Sequence, residues 1–498
     1  MSRGWRRAGL GRLALAVAGF AAVFTLHSRF VLTHFSRDGY LLDSGWFAWL
    51  LQSGDPWLHN PRSINELSYY AHHLSPYLFL LGTPLMLLGL SGIESFAFHQ
   101  GLTFGLFFLA VVALLPSAAA TRDRIVAGIC AVSIGALADV LLQAAAYPHF
   151  EIALIAAAAL MLAAIERGRW AASVACVIVL VLIREDGGLY AAAMSIAAIF
   201  LAGIRPHQDE RARSGVGLHP AKRARSLAVV AAMSMAFTIV AVLAKALLFP
   251  GYATFGSNFS GDSWKHLSGD LLVERLQALV LNPNVAPALI GSLILAAFDL
   301  RYAVGIVIFS PLFALHLIAV REELGLFRLY YALPWLLACV VALAVFARRA
   351  AASSAHAVEA GIMLVMSVAL TAPMLSTLGL HSSWRVAEAA ATRPVADLRA
   401  MQRFIADTAD AAGAACASTG IAALRPDDFL PAQVLAPRSP LESCEVVLLL
   451  RGDMHYRPLR TRLESDGFER RGARGNAEAW QRTGAPERGI RSSRGIGA

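Results

Sequence analysis

The stretch Pro76-Tyr-Leu-Phe-Leu-Leu-Gly82-Thr-Pro84-Leu-Met-Leu-Leu-Gly89-Leu90 decides how this 498-residue chain is threaded. It is apolar but short, and Gly82, Pro84 and Gly89 interrupt it. Apolar runs of roughly 10–14 residues are more often interfacial or re-entrant than spanning. Charge separates the two cases. If the piece does not cross, the run from about Phe96 to Leu115 goes inward and puts Arg122 and Arg124 in the cytoplasm. Arg167, Arg169, the basic loop 205–225 and the pair Arg348-Arg349 then fall on that same side, as the positive-inside rule requires. If it does cross, the most basic loop falls outside. The piece is therefore expected to be a juxtamembrane hairpin in the first outer loop.

Composition sets the wider frame. With 57% hydrophobic and 15% charged residues and a mean hydropathy of +0.57, the chain belongs to the integral membrane class. A soluble protein carries about a quarter charged residues. The net charge of +9 sits in short loops between apolar runs, which is a topological signal and not a phosphate-binding face. No nucleic-acid module is present in the pattern. The basic start, Arg3, Arg6 and Arg7 before the apolar run 13–26, resembles a signal peptide but fits better as an uncleaved first helix entering from the cytoplasm. Counting that first helix there are about eleven transmembrane helices in all, the last ending near Leu378, and an odd number puts the C-terminus outside.

From about His381 charge rises and short strand-like runs (414–418 and 446–450) alternate with helix-like ones (395–407 and 458–465). The expected organisation is an all-α polytopic domain over 1–380, a periplasmic α/β domain over 381–485 and a disordered tail over 486–498. Cys130, Cys176 and Cys339 lie in apolar runs as small hydrophobes. Cys416 and Cys444 lie in the polar region without metal-ligand spacing. They can form a disulfide if that region is outside the cytoplasm, and both states stay open from sequence.

The long first polar loop, residues 38–76, concentrates carboxylate, imidazole and aromatic groups: Asp43-Ser-Gly-Trp-Phe-Ala-Trp, His59, Tyr69-Tyr70 and His72-His73. Two further clusters share its predicted face, His149 with Glu151, and Arg184-Glu185-Asp186. Charged groups near hydrocarbon are costly unless they pair or line a wet cavity, so the grouping points to an outward-opening polar site. A carboxylate there can serve as general base, histidine can bind phosphate or move a proton, and the arginine fork suits a phosphate oxygen. Each position also has a plain structural explanation. Asp43 can cap a helix starting at Ser44. His72 and His73 diverge by about 100° on a helix, so at most one faces a site. His149 and Glu151 fit an interfacial turn, and 184–186 an internally paired one. Tyr330 and Tyr331 fit an aromatic belt.

The order of these groups is more informative than any one of them. Asp43-Ser-Gly-Trp-Phe, His73-Leu-Ser-Pro76, His149-Phe-Glu151, Arg184-Glu185-Asp186-Gly-Gly and Tyr331-Ala-Leu-Pro334 resemble the motifs of a bacterial and archaeal family of multi-pass proteins, domain of unknown function 2079. The resemblance covers about residues 30 to 450. Arg184 stands where that family has Lys, Leu74 where Phe is usual, and Ser44 intervenes before Gly45. That family in turn resembles the GT-C superfamily of membrane glycosyltransferases, with a catalytic acid in the first outer loop and a second acid in the next. The resemblance implies a bacterial inner-membrane enzyme passing a sugar from a polyprenyl-phosphate donor to an envelope lipid, glycan or protein acceptor on the periplasmic face. It implies Asp43 as base and Glu151 as the second acid, orienting the acceptor or a metal. His72, His73, His149, Arg184, Glu185, Asp186 and Tyr331 would bind substrate. The cofactor is left open, a divalent metal being the candidate. Two other classes remain: a transporter or flippase for a lipid-linked or anionic substrate, and a non-catalytic membrane scaffold.

Overall fold

The computed structural model describes residues 3–37, 39–64, 68–116, 119–146, 148–204, 220–250, 258, 264–352, 354–371, 388 and 392–484. The expected disordered tail, residues 205–219 of the basic loop, Tyr147 and the domain boundary near 381 lie outside the described residues. In chain order the helices are α1 Arg3–Arg37, α2 Trp46–Ser53, α3 Pro76–Leu87, α4 Gly92–Ala113, α5 Thr121–Val132, α6 Asp139–Ala146, α7 Ala153–Glu166, α8 Trp170–Ile183, α9 Gly187–Ala202 and α10 Pro220–Leu248. They continue as α11 Gly269–Leu281, α12 Ala286–Ala296, α13 Val304–Leu317, α14 Leu333–Ala351, α15 Ala357–Ala369 and α16 Leu398–Ala411. The C-terminal part adds β1 Ala415–Ser418, α17 Thr419–Leu424, β2 Val434–Leu435, β3 Val446–Leu450, α18 Tyr456–Ser465, β4 Phe468–Arg474 and β5 Ala477–Arg482.

The chain is a multi-pass membrane protein. Among the described residues, six helices are long and apolar enough to cross a bilayer, and α11 with α12 make a seventh if that pair, bent by 79°, is one span. Helices α3, α8, α9 and α15 are apolar but shorter. The expected eleven spans require α7, α8, α9 and α15 to cross as well. A 12-residue helix such as α3 is about 18 Å long, little more than half the hydrocarbon thickness.

Two compact units divide the chain: residues 1–25, 71–77 and 101–387, and residues 26–70, 78–100 and 388–498. In the first unit, α7 and α14 are apolar around their whole circumference and nearly all their residues are buried, as expected for helices at the centre of a bundle. Val174, Ile178, Val240, Leu243 and Leu247 on α8 and α10 stay exposed, a lipid-facing surface. The Gly187-Gly188 pair explains the close approach of α8, α9 and α10. A Cβ on Gly187 would lie 1.8 Å from the Leu180 carbonyl oxygen, and one on Gly188 2.2 Å from that of Ser234. Only glycine fits there, the small-residue packing common between membrane helices.

Arginines gather at one end of this unit. Arg12 donates to the Val112 and Ala113 carbonyls, Arg223 to Ile165 and Glu166, and Arg348 to Glu166 and Leu201. The acceptors on Val112, Ala113, Ile165 and Leu201 are helix C-terminal carbonyls, where cations offset the orphaned acceptors and the helix dipole, while Glu166 accepts from both arginines through its side-chain carboxylate. Arg349 pairs with Glu359 and Asp299.

In the second unit a five-stranded sheet has the order β2-β1-β3-β5-β4. β1 is parallel to β2 and β3, while β5 is antiparallel to β3 and β4. Every residue of β3, Val-Val-Leu-Leu-Leu, is buried, which requires both sheet faces to be covered. α18 supplies Leu459 and Leu463 to the packing on β3, while α16, with Met401 and Ile405 buried, packs on β4 and β5. Cys416 and Cys444 form a disulfide, Cα atoms 5.7 Å apart, settling the alternative left open by sequence. α3 lies against α2 in the same unit, since a Cβ on Gly82 would meet the Leu51 carbonyl oxygen at 2.3 Å.

Candidate functional site

α7 begins just after His149-Phe-Glu151 and ends at Glu166, so its two polar ends lie about 22 Å apart. Glu166 belongs to the arginine-rich end. Glu151 belongs to a buried network at the other. Its carboxylate accepts from Arg184 and lies 3.3 Å from His73 Nε2 and 3.8 Å from His149 Nδ1. Arg184 also grips Asp186 with two donors, Nε to Oδ1 at 2.6 Å and Nη2 to Oδ2. Glu185 receives His73 Nδ1 at 3.0 Å and the Leu74 N–H at 3.0 Å, with Lys245 Nζ at 3.5 Å. Lys245 also donates to the His72 carbonyl.

The local sequence builds this arrangement. The turn between α8 and α9 holds Arg184-Glu185-Asp186 because Gly187 lets the chain reverse against α8, and the Ser75 hydroxyl donates to the Ile183 carbonyl at 2.7 Å. That bond holds the 71–77 segment beside the turn, placing His73 between two carboxylates.

Electrostatics hold the pairs together. Burial pushes the Glu151 carboxyl up, but the charges of Arg184, His149 and His73 outweigh it and hold it below its ordinary value. Burial likewise raises Glu185, and the bond and charge of His73, with Arg184 and Lys245, hold it well below. Burial lowers the Arg184 guanidinium, and Asp186 and Glu151 more than reverse this, raising it well above its usual range.

The structure thus brings together six residues singled out from sequence: His73, His149, Glu151, Arg184, Glu185 and Asp186. His72 contributes its carbonyl, and Tyr331 lies edge-on to His316, ring centres 6.1 Å apart, with Arg321 over its ring. Lys245 was missed by the motif reading. Its signal was a lone cation inside the apolar run Ala-Val-Leu-Ala-Lys-Ala-Leu-Leu, where an unexplained charge marks function or pairing. No group of three His, Cys, Asp or Glu side chains among the described residues is arranged to hold a metal ion. Glu151 and Glu185 face side-chain cations instead, so their donor sets do not fit a divalent metal.

Asp43 is held in the second unit. It lies within a π-helical turn, Leu41–Gly45, that runs directly into α2. Its side chain caps neither element and is exposed, so helix capping does not account for it. The turn is fixed instead by Ser44, whose hydroxyl donates to the Tyr40 carbonyl at 2.8 Å and meets His34 Nε2 at 2.8 Å. The Gly45 N–H closes the turn onto Tyr40 at 2.9 Å.

The chain matches no protein-family model, including that of the uncharacterised family its motifs resemble, and no curated protein. Among solved structures it is similar to ArnT from Cupriavidus metallidurans in the apo state, with TM-score 0.47 and 15% identity over 95% of this chain and 98% of that one. The same protein bound to undecaprenyl phosphate gives TM-score 0.48 and 14% identity over 95% and 98%. The arabinofuranosyltransferase AftD from Mycobacteria gives TM-score 0.43 and 14% identity over 93% of this chain and 40% of that one.

Proposed function

We propose that this protein is a GT-C-like inner-membrane glycosyltransferase. It takes a sugar from a polyprenyl-phosphate donor and passes it, on the periplasmic face, to a hydroxyl of an envelope lipid, glycan or protein. The observation that carries this reading is Asp43. It is an exposed carboxylate on a turn closed by its own hydrogen bonds, whereas Glu151 and Asp186 are paired with Arg184 and Glu185 with Lys245. A base must be within reach of the acceptor and free to take its proton.

In the proposed step the Asp43 carboxylate removes the acceptor hydroxyl proton. The oxygen attacks the anomeric carbon, and the bond from that carbon to the donor phosphate oxygen breaks, releasing polyprenyl phosphate. The departing oxyanion needs fixed positive or hydrogen-bonding partners. Arg184, Lys245 and His73 are the groups proposed for this. Arg184 spends three of its five N–H groups on Asp186 and Glu151, which orients the remaining two. Glu151 and Glu185 act as positioning residues that hold these cations in place. The Cys416–Cys444 disulfide supports an oxidising compartment for the C-terminal domain.

The test is Asp43→Asn in a cell-envelope glycan assay. Loss of transfer by about 10²–10⁴-fold is expected for a missing general base. Full activity would remove Asp43 from the reaction. One observation favours the transporter reading, the 79° break between α11 and α12, because transporters bind substrate at broken helices. Substrate movement without sugar transfer would select it.

A further inference from the structure

The sheet order β2-β1-β3 contains a topological switch point: β1 connects onward to one side and the chain returns as β3 on the other. In open α/β sheets, ligands bind in the crevice at the carboxyl ends of the strands at such a point. Here those ends are Ser418, leading into α17, and Leu450, leading to Asp453. The place is furnished like a binding crevice. Asp453 is buried and accepts from the Gly420 N–H at 2.7 Å, the Thr419 hydroxyl at 3.2 Å and the His455 N–H at 2.9 Å.

The occupant of this crevice is the chain's own segment leading to Asp43. A Cβ on Gly420 would lie 3.1 Å from the Gly39 carbonyl oxygen as well as 3.0 Å from Asp453 Oδ2. A Cβ on Gly45 would lie 2.6 Å from the Ala423 Cα, so the π-helical turn rests directly on α17. The β4–β5 hairpin adds Asn476, whose carbonyl accepts from the Arg451 N–H at 2.8 Å while its amide donates to the Ser36 carbonyl at 2.6 Å. Further along the loop, the Ser63 N–H donates to the Pro426 carbonyl at 3.2 Å and the Arg62 N–H to Asp427 Oδ1 at 3.0 Å. Gly39, Gly45, Gly420 and Ala423 are small residues at one backbone-to-backbone contact.

We infer that the C-terminal α/β domain is a positioning device for Asp43, its switch-point crevice clamped on the Gly39–Gly45 turn, and not a second substrate-binding module. The bonds within the turn fix its shape but not its place in the domain, and proton transfer needs both within a narrow tolerance. Seating it on α17, beside the carboxyl ends of β1 and β3, supplies that placement. The disulfide lies on β1, directly before α17, so it stiffens the clamp from behind. This inference rests on the proposed role of Asp43, and its test is separable from that role.

The experiment is a cross-link in full-length protein in membranes. Gly39→Cys and Ala423→Cys are combined, with Cys130, Cys176 and Cys339 replaced and a protease site inserted in residues 381–387. The ideal Cβ of Gly39 lies 3.4 Å from the Ala423 Cβ, close to the separation a disulfide needs. The expected result is that the two fragments stay joined after proteolysis without reductant, and that sugar transfer by the oxidised protein stays within two-fold of each single variant. Failure to cross-link overturns the inference. So does a cross-linked protein that loses transfer while both single variants keep it, since the clamped state would then not be the working state. Asp43→Asn in the same background reports independently: full transfer there defeats the base role and leaves the cross-link result standing.

Discussion

Arg184→Met is the perturbation whose size follows most directly from the structure. The guanidinium donates twice to Asp186 and once to Glu151. Asp186 is about one-fifth exposed and recovers water when the arginine goes, whereas the Glu151 side chain is 9% exposed and does not. Removing one partner of a buried pair costs about 3–5 kcal/mol, because the other charge is left unpaired. His73 at 3.3 Å and His149 at 3.8 Å still face Glu151, which puts the expected loss at the lower end, about 3 kcal/mol. The measurement is equilibrium unfolding of purified protein in mixed micelles for Arg184→Met, Glu151→Gln and the double variant. The double variant should be more stable than the sum of the single losses implies, with coupling of about 1–3 kcal/mol. Arg184→Lys should fall between, since lysine keeps the charge but not the fork. A single change costing under about 0.5 kcal/mol, or strictly additive losses, would refute the network as described.

The remaining predictions concern acid and reductant. Glu151 and Glu185 titrate below their ordinary range in the folded state, so their contribution is complete at neutral pH. As pH falls below about 4.5 the unfolded chain takes up protons first, and stability declines toward the folded values. Unfolding measured from pH 3 to 8 should show this acid loss, and it should be smaller in Arg184→Met; a stability maximum near pH 4 would contradict it. Reduction of Cys416–Cys444, or their joint change to Ser, opens a loop of sequence separation 28, which should cost about 3–4 kcal/mol in the chain-entropy account. Limited proteolysis of the C-terminal domain with and without reductant reads this out, and equal cleavage rates would contradict it.

The site was legible from sequence wherever a motif carried its own chemistry. His149-Phe-Glu151 and Arg184-Glu185-Asp186 stand at helix ends in an apolar chain, and charge there is too costly to be accidental. Lys245 was not legible in the same way, because its partners Glu185 and the His72 carbonyl come from segments 60 and 173 residues away. The assignment of phosphate contacts to His73 and Arg184 also looked simpler from sequence than in the fold, where both groups are already bonded to carboxylates. The C-terminal strands at 414–418 and 446–450 were visible as short apolar runs and became β1 and β3 within a residue.

What the sequence determined alone is the class of protein: hydropathy and the spacing of arginines are properties of the chain's transfer into lipid, and they need no partner to be read. Local rules likewise marked the short apolar piece that forms α3. What only the tertiary structure decided is which residues meet. Cys416 with Cys444, Glu185 with Lys245, and Gly45 with Ala423 are contacts across long separations that no local pattern encodes, and the last exists only because two small residues permit a close approach.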